Sequence, residues 1–304
     1  MDFDSEAVQR LLAVALAEEV GSGDLAASAI GCADARVQTR VIAERNLICA
    51  GLPLVQRVFH TLDTQMRMEL LASDGAAVGV GQSVLELEGR TSGILTGERT
   101  ALEFLGRLSG IATETRQFVD TVAGTSAKIC CARLTTPGLR LLERYAMVAG
   151  GAFCREGKLI LLTENHVAIA GGVKAALDQA HSFVSSQMML QAMTAYEAAG
   201  TPLGETEANS LSIQIEVRNE GELREALSAG AGSVVLKHMA LADARRCVEI
   251  VREARPDCIV DISGGITIQN VRAYAETGAD FLSRELLMHC GPCGGFRLLV
   301  DSVQ

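Results

Sequence analysis

Between residues 128 and 282, short apolar runs alternate with stretches of helical spacing. The runs are Lys128–Cys131, Leu159–Leu162, Ile213–Val217, Ser233–Leu236, Cys258–Ile262 and Phe281–Leu282. Segments this short suit strands rather than buried helices. Strands joined through helices pair in parallel, because a crossover carries the chain back before the next strand begins. Six such runs suit a barrel better than a short open sheet, although periodicity alone leaves a doubly wound sheet open as the alternative. The stretch Ser182–Ser210 is less periodic and contains Thr201-Pro202-Leu203-Gly204-Glu205, so it reads as an enlarged connection.

The region before these runs has a different rhythm. Asp4 and Ser5 precede Val8, Leu11, Leu12, Ala15 and Leu16 at helical spacing, which predicts a capped helix ending near Gly21. Val37–Ala43 and Ser83–Glu88 alternate as strands, and Gly79-Val80-Gly81 leads into a strand, so it is a turn rather than a nucleotide loop. A long helix is predicted from Thr96 to about Val122, with Leu102, Leu105, Leu108 and Ile111 as its buried stripe. The whole reads as α+β followed by α/β.

Charge and composition narrow the partners. Asp and Glu number 37 against 27 Lys and Arg, a net charge of −10, with no Trp and no basic run. Such a surface repels a phosphate backbone and offers little for base stacking, which excludes nucleic acid as a partner. Nine Cys without framework spacing argue against a secreted disulfide scaffold. No apolar run reaches the roughly 20 residues of a membrane span. The acidic start Met1-Asp2-Phe3-Asp4 lacks the basic residues of a signal peptide, so a cytoplasmic protein is expected.

In a parallel barrel the loops after the strands converge on one mouth. The residues at or just after the ends of the runs are Arg133, Thr135 and Thr136; Thr163 to His166; Glu216; Lys237 and His238; Ser263, Gly264 and Gly265; and Ser283 to Glu285. Ser263-Gly264-Gly265-Ile266 before a helix predicted from Thr267 is a candidate phosphate cradle. Cys290-Gly291-Pro292-Cys293 has redox-pair spacing but no downstream βαβ context. Cys154 is a candidate nucleophile if His166 or His238 lies close enough to act as its base.

Several longer segments carry a resemblance. They are Leu95–Leu102, Leu108–Thr113, Arg133-Leu134-Thr135-Thr136-Pro137-Gly138-Leu139-Arg140, Ser263–Ile266 and Tyr274–Gly278, with Gly21–Leu25 and Ala50–Pro53 upstream. Over nearly its whole length the chain resembles quinolinate phosphoribosyltransferases, which join quinolinate to phosphoribosyl pyrophosphate with loss of CO₂. The resemblance implies an N-terminal α/β sandwich over 1–109, rejoined by 291–304, and an open α/β (TIM-like) barrel over 110–290. It also implies a homodimer in which Arg99 is lent to the partner's site, pyridine carboxylates held by Arg133 and Arg155, and a phosphate near His289. Mg²⁺ is the expected cofactor.

This sequence departs from that pattern at the mouth. Leu134 stands where the family has Lys, Cys154 where it has His, Thr163 where it has Lys, and Gln214 where it has Glu, while Glu216 is kept. Lys237 replaces an aspartate of the metal site, and Glu285 replaces a glycine beside the phosphate. A lysine repels Mg²⁺, and Lys237 and Glu285 are candidates to pair with each other. The expectation is an enzyme that binds a pyridine carboxylate or related small anion, with Glu216 and Lys237 catalytic and a changed substrate or reaction. Cys154, Thr163 and His166 are expected to line the substrate site. Two alternatives remain: a non-catalytic relative that binds a ligand or partner chain, and standard nicotinate mononucleotide synthesis.

Overall fold

The computed structural model describes residues 3–20, 29, 35–131, 134–155, 157–199, 211–284 and 294–303. They form two compact units: residues 1–120, 131–152 and 286–304, and residues 121–130 and 153–285.

The first unit is built on the antiparallel sheet β12-β1-β5-β3. Its strands are β1 (Arg36–Ala43), β3 (Arg67–Leu70), β5 (Ser83–Arg90) and β12 (Phe296–Val303), and β2 (Leu47–Ile48) pairs separately with β4 (Ala77–Val78). In β1 the alternation predicted from sequence holds, with Val37, Thr39, Val41 and Ala43 buried. The C-terminal strand β12 returns to β1, pairing antiparallel from Val37 with Val303 to Ala43 with Phe296. The helices are α1 (Glu6–Val20), α2 (Leu52–Leu62), α3 (Thr91–Thr121) and α4 (Arg140–Ala149). Helix α1 buries Val8, Leu12 and Leu16, as its spacing requires. Helix α3 begins five residues before Thr96, because Thr91 already donates through its N–H and hydroxyl to Ala35 O, fixing the start of the helix.

Asp74 holds the start of α2. Its carboxylate accepts the N–H groups of Gly51 and Leu52 at 2.7 and 3.1 Å and the Tyr145 hydroxyl at 2.6 Å. A carboxylate suits this position, where unpaired N–H groups and the helix dipole favour negative charge. The same charge adds to burial in pushing the Cys49 thiol up to about 12, while burial is the first cause of the rise to about 11 at Cys247 and Cys258 in the second unit. These thiols stay neutral in the fold at pH values where the unfolded chain ionises them, from about pH 8.5 upward. The unfolded state then binds fewer protons, so stability falls as pH rises through this window. Urea unfolding at pH 10.5 should give a free energy more than about 1 kcal/mol below that at pH 8.5. Cys49→Ala should flatten this slope.

In the second unit all six expected strands are present: β6 (Lys128–Cys130), β7 (Leu159–Leu162), β8 (Ser212–Val217), β9 (Ser233–Lys237), β10 (Ile259–Ser263) and β11 (Phe281–Ser283). They form one sheet in the order β6-β11-β10-β9-β8-β7, every pairing parallel. From β7 to β11 each strand pairs with the next in the chain, and β6 adds beyond β11. The first strand therefore neighbours the last while β6 and β7 do not pair, which is an open barrel rather than a doubly wound sheet. Helices α5 (Glu164–Ala170), α6 (Val173–Ala199), α7 (Glu220–Ser228), α8 (Leu241–Ala254) and α9 (Val271–Ala275) intervene.

Two expectations are corrected here. The supposed connection from Ser182 is helical to Ala199, because α6 contains neither Gly nor Pro and is rich in Ala, Met and Gln. High intrinsic propensity carries a helix whose amphipathic signal is weak. The helix expected from Thr267 starts at Val271 and has five residues. Asn270 is the reason: its side chain accepts the Thr267 N–H and donates to Gly265 O, holding the intervening residues as a turn.

Candidate active site

Strand register places the polar residues of the barrel on one face. Lys128, Phe281, Asp261, Val235 and Glu216 lie in one row across β6, β11, β10, β9 and β8. Two residues further along, Cys130, Ser283, Ser263 and Lys237 form the next row on that same face. The opposite face carries Ile129, Leu282, Ile262, Leu236 and Val217, all buried. One face is thus apolar, while the other carries the chemistry.

At the first end of this face, Phe153 stacks on Phe281 with ring centroids 5.3 Å apart. Lys128 Nζ lies 5.2 Å from the Phe153 ring and Arg155 Cζ 5.1 Å from the Phe281 ring, so a cation covers each partner of the stack. Phe153 is brought there by a parallel bridge to Cys130, its N–H donating to Ile129 O. Arg155 Nη1 is buried and has no hydrogen-bond partner among the described residues. A buried guanidinium donor without an acceptor is costly, and a planar carboxylate is the group that its fork fits. Cys154, between these two residues, is half-buried.

Near the strand ends, Lys237 Nζ is 3.9 Å from Glu216 Oε1, with both side chains largely buried. That separation is an ion pair, longer than a hydrogen bond. Asp261, which is 1% exposed, accepts the Ser283 hydroxyl at 2.9 Å. Sequence reading missed this acid, although a carboxylate between Val260 and Ile262 in an apolar run was its signal. After β9, His238 adopts φ 50, a left-handed conformation uncommon outside glycine, and its N–H donates to Ser263 O. A Cβ on Gly264 would meet the His238 ring at 2.4 Å, so only glycine fits beneath it. Gly264 and Gly265 have φ 90 and 72, and the space beside Gly265 is open. His238 also borders a cavity of ≈ 310 Å³ with Arg218, Asn219, Asp243 and Arg246.

Thr163 and His166 cap the helix that follows β7. His166 Nδ1 accepts the Thr163 N–H at 3.2 Å and lies 2.7 Å from its hydroxyl, forming a capping box that starts α5. That nitrogen is engaged with the cap, not held as a base for Cys154. Arg99 lies on α3 in the first unit, its side chain 70% exposed and 3.2 Å from Glu19. Arg133, Glu285, His289 and the Cys290/Cys293 pair lie outside the described residues, as does the expected pairing of Lys237 with Glu285.

The donor set bears on Mg²⁺. Among the described residues no three His, Cys, Asp or Glu side chains cluster as metal ligands. The carboxylate of Glu216 already faces an ammonium group, and a divalent ion there would be repelled by it. These residues do not fit a divalent metal.

Comparison with known proteins places the chain in a class. Residues 24–109 match the N-terminal domain of quinolinate phosphoribosyl transferase, and residues 111–199 and 189–298 match its C-terminal domain. The chain belongs to the quinolinate phosphoribosyl transferase family. Among its relatives, the probable nicotinate-nucleotide pyrophosphorylase [carboxylating] of Synechocystis sp. is 34% identical over 271 residues, 88% of this chain and 84% of that one. The solved NadC from Streptococcus pyogenes has a TM-score of 0.84 at 26% identity, covering 99% of this chain and 100% of that one. For the nicotinate-nucleotide pyrophosphorylase from Francisella tularensis the TM-score is 0.80 at 28% identity, over 97% of this chain and 96% of that one. No helix among the described residues is long and apolar enough to cross a membrane.

Proposed function

We propose that this chain is a quinolinate phosphoribosyltransferase-like enzyme that binds a pyridine carboxylate, or a related planar anion, and acts on it through an altered phosphoribosyl-donor site. The observation that carries the reading is Arg155, whose buried Nη1 has no acceptor among the described residues while its guanidinium packs on the Phe281 ring. A planar acid meets two needs there at once, supplying a carboxylate to the fork and an apolar ring to the neighbouring aromatics.

In this reading Arg133 joins Arg155 on the carboxylate, and Arg99 reaches the site from the second subunit of a homodimer. The exposure of the Arg99 side chain suits that role. Glu216 stabilises positive charge developing on a ribose carbon, and its pairing with Lys237 alters the donor side. The Gly264–Gly265 turn and His289 hold phosphate. A second, non-catalytic reading is favoured by the same Lys237–Glu216 pair, since a carboxylate already engaged by a cation is less available to a reacting ribose.

Calorimetry with quinolinate, nicotinate, nicotinate mononucleotide and phosphoribosyl pyrophosphate, followed by product assay on whatever binds, tests these readings. Binding of a pyridine carboxylate with turnover to a product other than nicotinate mononucleotide is the expected result. Binding without turnover would assign the non-catalytic role. Release of CO₂ and pyrophosphate from quinolinate and phosphoribosyl pyrophosphate would assign the relatives' reaction and remove the altered-substrate reading. Binding of none would overturn the ligand assignment.

A further inference from the structure

Two neighbouring strand ends of the barrel bring complementary groups together. Lys237 closes β9 directly opposite Ser263 of β10, and Ser263 lies opposite Ser283 of β11. One row therefore carries an ammonium group between the acidic row below it, with Glu216 and Asp261, and the turn above it. The His238 N–H ties this end of β9 to Ser263 O, and the His238 ring presses on Gly264 so closely that no side chain fits there. Beyond the ring, the Gly265 backbone faces open space. An ammonium group, the Ser263 hydroxyl and an uncovered glycine turn are groups that recognise phosphate oxygens, while the Ser283 hydroxyl is already given to Asp261. The strained φ at His238 is retained at the same place, as backbone strain often is where a site needs it.

We propose that Lys237 is the resident cation of this barrel, gripping a phosphate-bearing ligand directly so that anion binding here needs no divalent metal ion. The inference rests on the phosphate side of the proposed function and not on its pyridine side. Lys237 is tethered by its own backbone and held near Glu216 at ion-pair distance, so its charge is fixed where an exchangeable ion would depend on concentration. Glu216 holds the ammonium group in place at ion-pair distance, and Asp261 lies in the same row as Glu216 behind it.

Titration of the full-length protein with inorganic pyrophosphate, in EDTA and again in Mg²⁺, tests this without any variant. Binding in EDTA that Mg²⁺ does not strengthen is the expected result. Lys237→Met should weaken that binding by about 10- to 100-fold, the effect of losing a charge-assisted hydrogen bond. Lys237→Arg should keep most of it, and controls by circular dichroism separate binding loss from misfolding. Lys237→Asp, which places a second carboxylate beside Glu216, should bind pyrophosphate only when Mg²⁺ is present. Binding by the unaltered protein that requires Mg²⁺, no binding under either condition, or unchanged affinity in a folded Lys237→Met would each overturn the proposal. Failure of pyridine carboxylates to bind while pyrophosphate still binds in EDTA would remove the pyridine reading and leave this one standing.

Discussion

Replacing Arg107 with Met should lower the unfolding free energy by about 3–5 kcal/mol, the range for stripping one partner from a buried ion pair. Glu143 on α4 is 0% exposed, and its carboxylate accepts a hydrogen bond from Arg107 Nη2 on α3. Its other oxygen accepts the Thr136 N–H at 2.8 Å, and Arg107 Nη2 also donates to the Thr136 hydroxyl at 2.9 Å. The segment Leu134–Leu139 is therefore pinned to both helices through Thr136. Without Arg107 the fold must bury a carboxylate with little compensation or protonate it. Glu143→Leu combined with Arg107→Met removes the orphaned charge, so the double variant should recover to within about 2 kcal/mol of the parent. Urea unfolding of the two single variants and the double one forms the cycle that measures this coupling. A fully additive cycle would show that the pair is not the source of the effect.

That pair shows what the sequence leaves hidden. Arg107 and Glu143 are 36 residues apart and individually look like solvated helix charges. Their burial arises only when α3 packs on α4. Asp261 was closer to legible, since an acid inside an apolar run has few explanations other than an inward-facing one. The six barrel strands could be read directly, because helix-separated apolar runs have few ways to bury both faces. Even so, the sharing of one row by Glu216, Asp261 and Lys128 emerges only with the register. The long helix α6 was missed for the opposite reason: its composition favours helix strongly, while its periodicity gives little sign of which face is covered. The resemblance located Arg155, Glu216 and Lys237, but not the aromatic pair. Phe153 and Phe281 are 128 positions apart and meet through the bridge between Cys130 and Phe153. Thr163 and His166 illustrate a different limit, since S/T-x-x-acceptor spacing was present in the sequence and its capping meaning was overshadowed by a functional one.

Arg155→Met should separate binding from stability more sharply than any other single change in the second unit. Affinity for whichever pyridine carboxylate the protein binds is expected to fall by about 10- to 100-fold, since a charge-assisted hydrogen bond contributes about 1.5–3 kcal/mol. Stability of the protein without ligand should stay level or rise slightly. Nη1 is buried with no acceptor among the described residues, so the folded state carries its desolvation without a compensating bond, and Met removes that cost while keeping contact with Phe281. A residue whose role was only structural would behave the other way, losing stability and leaving affinity unchanged. Arg155→Lys supplies the control for charge. An ammonium group is a point donor without the planar fork, and it stacks less well on the ring, so it should restore only part of the binding. Full recovery by Lys would show that charge alone is recognised, and equal losses of stability and affinity in Arg155→Met would remove Arg155 from the ligand site.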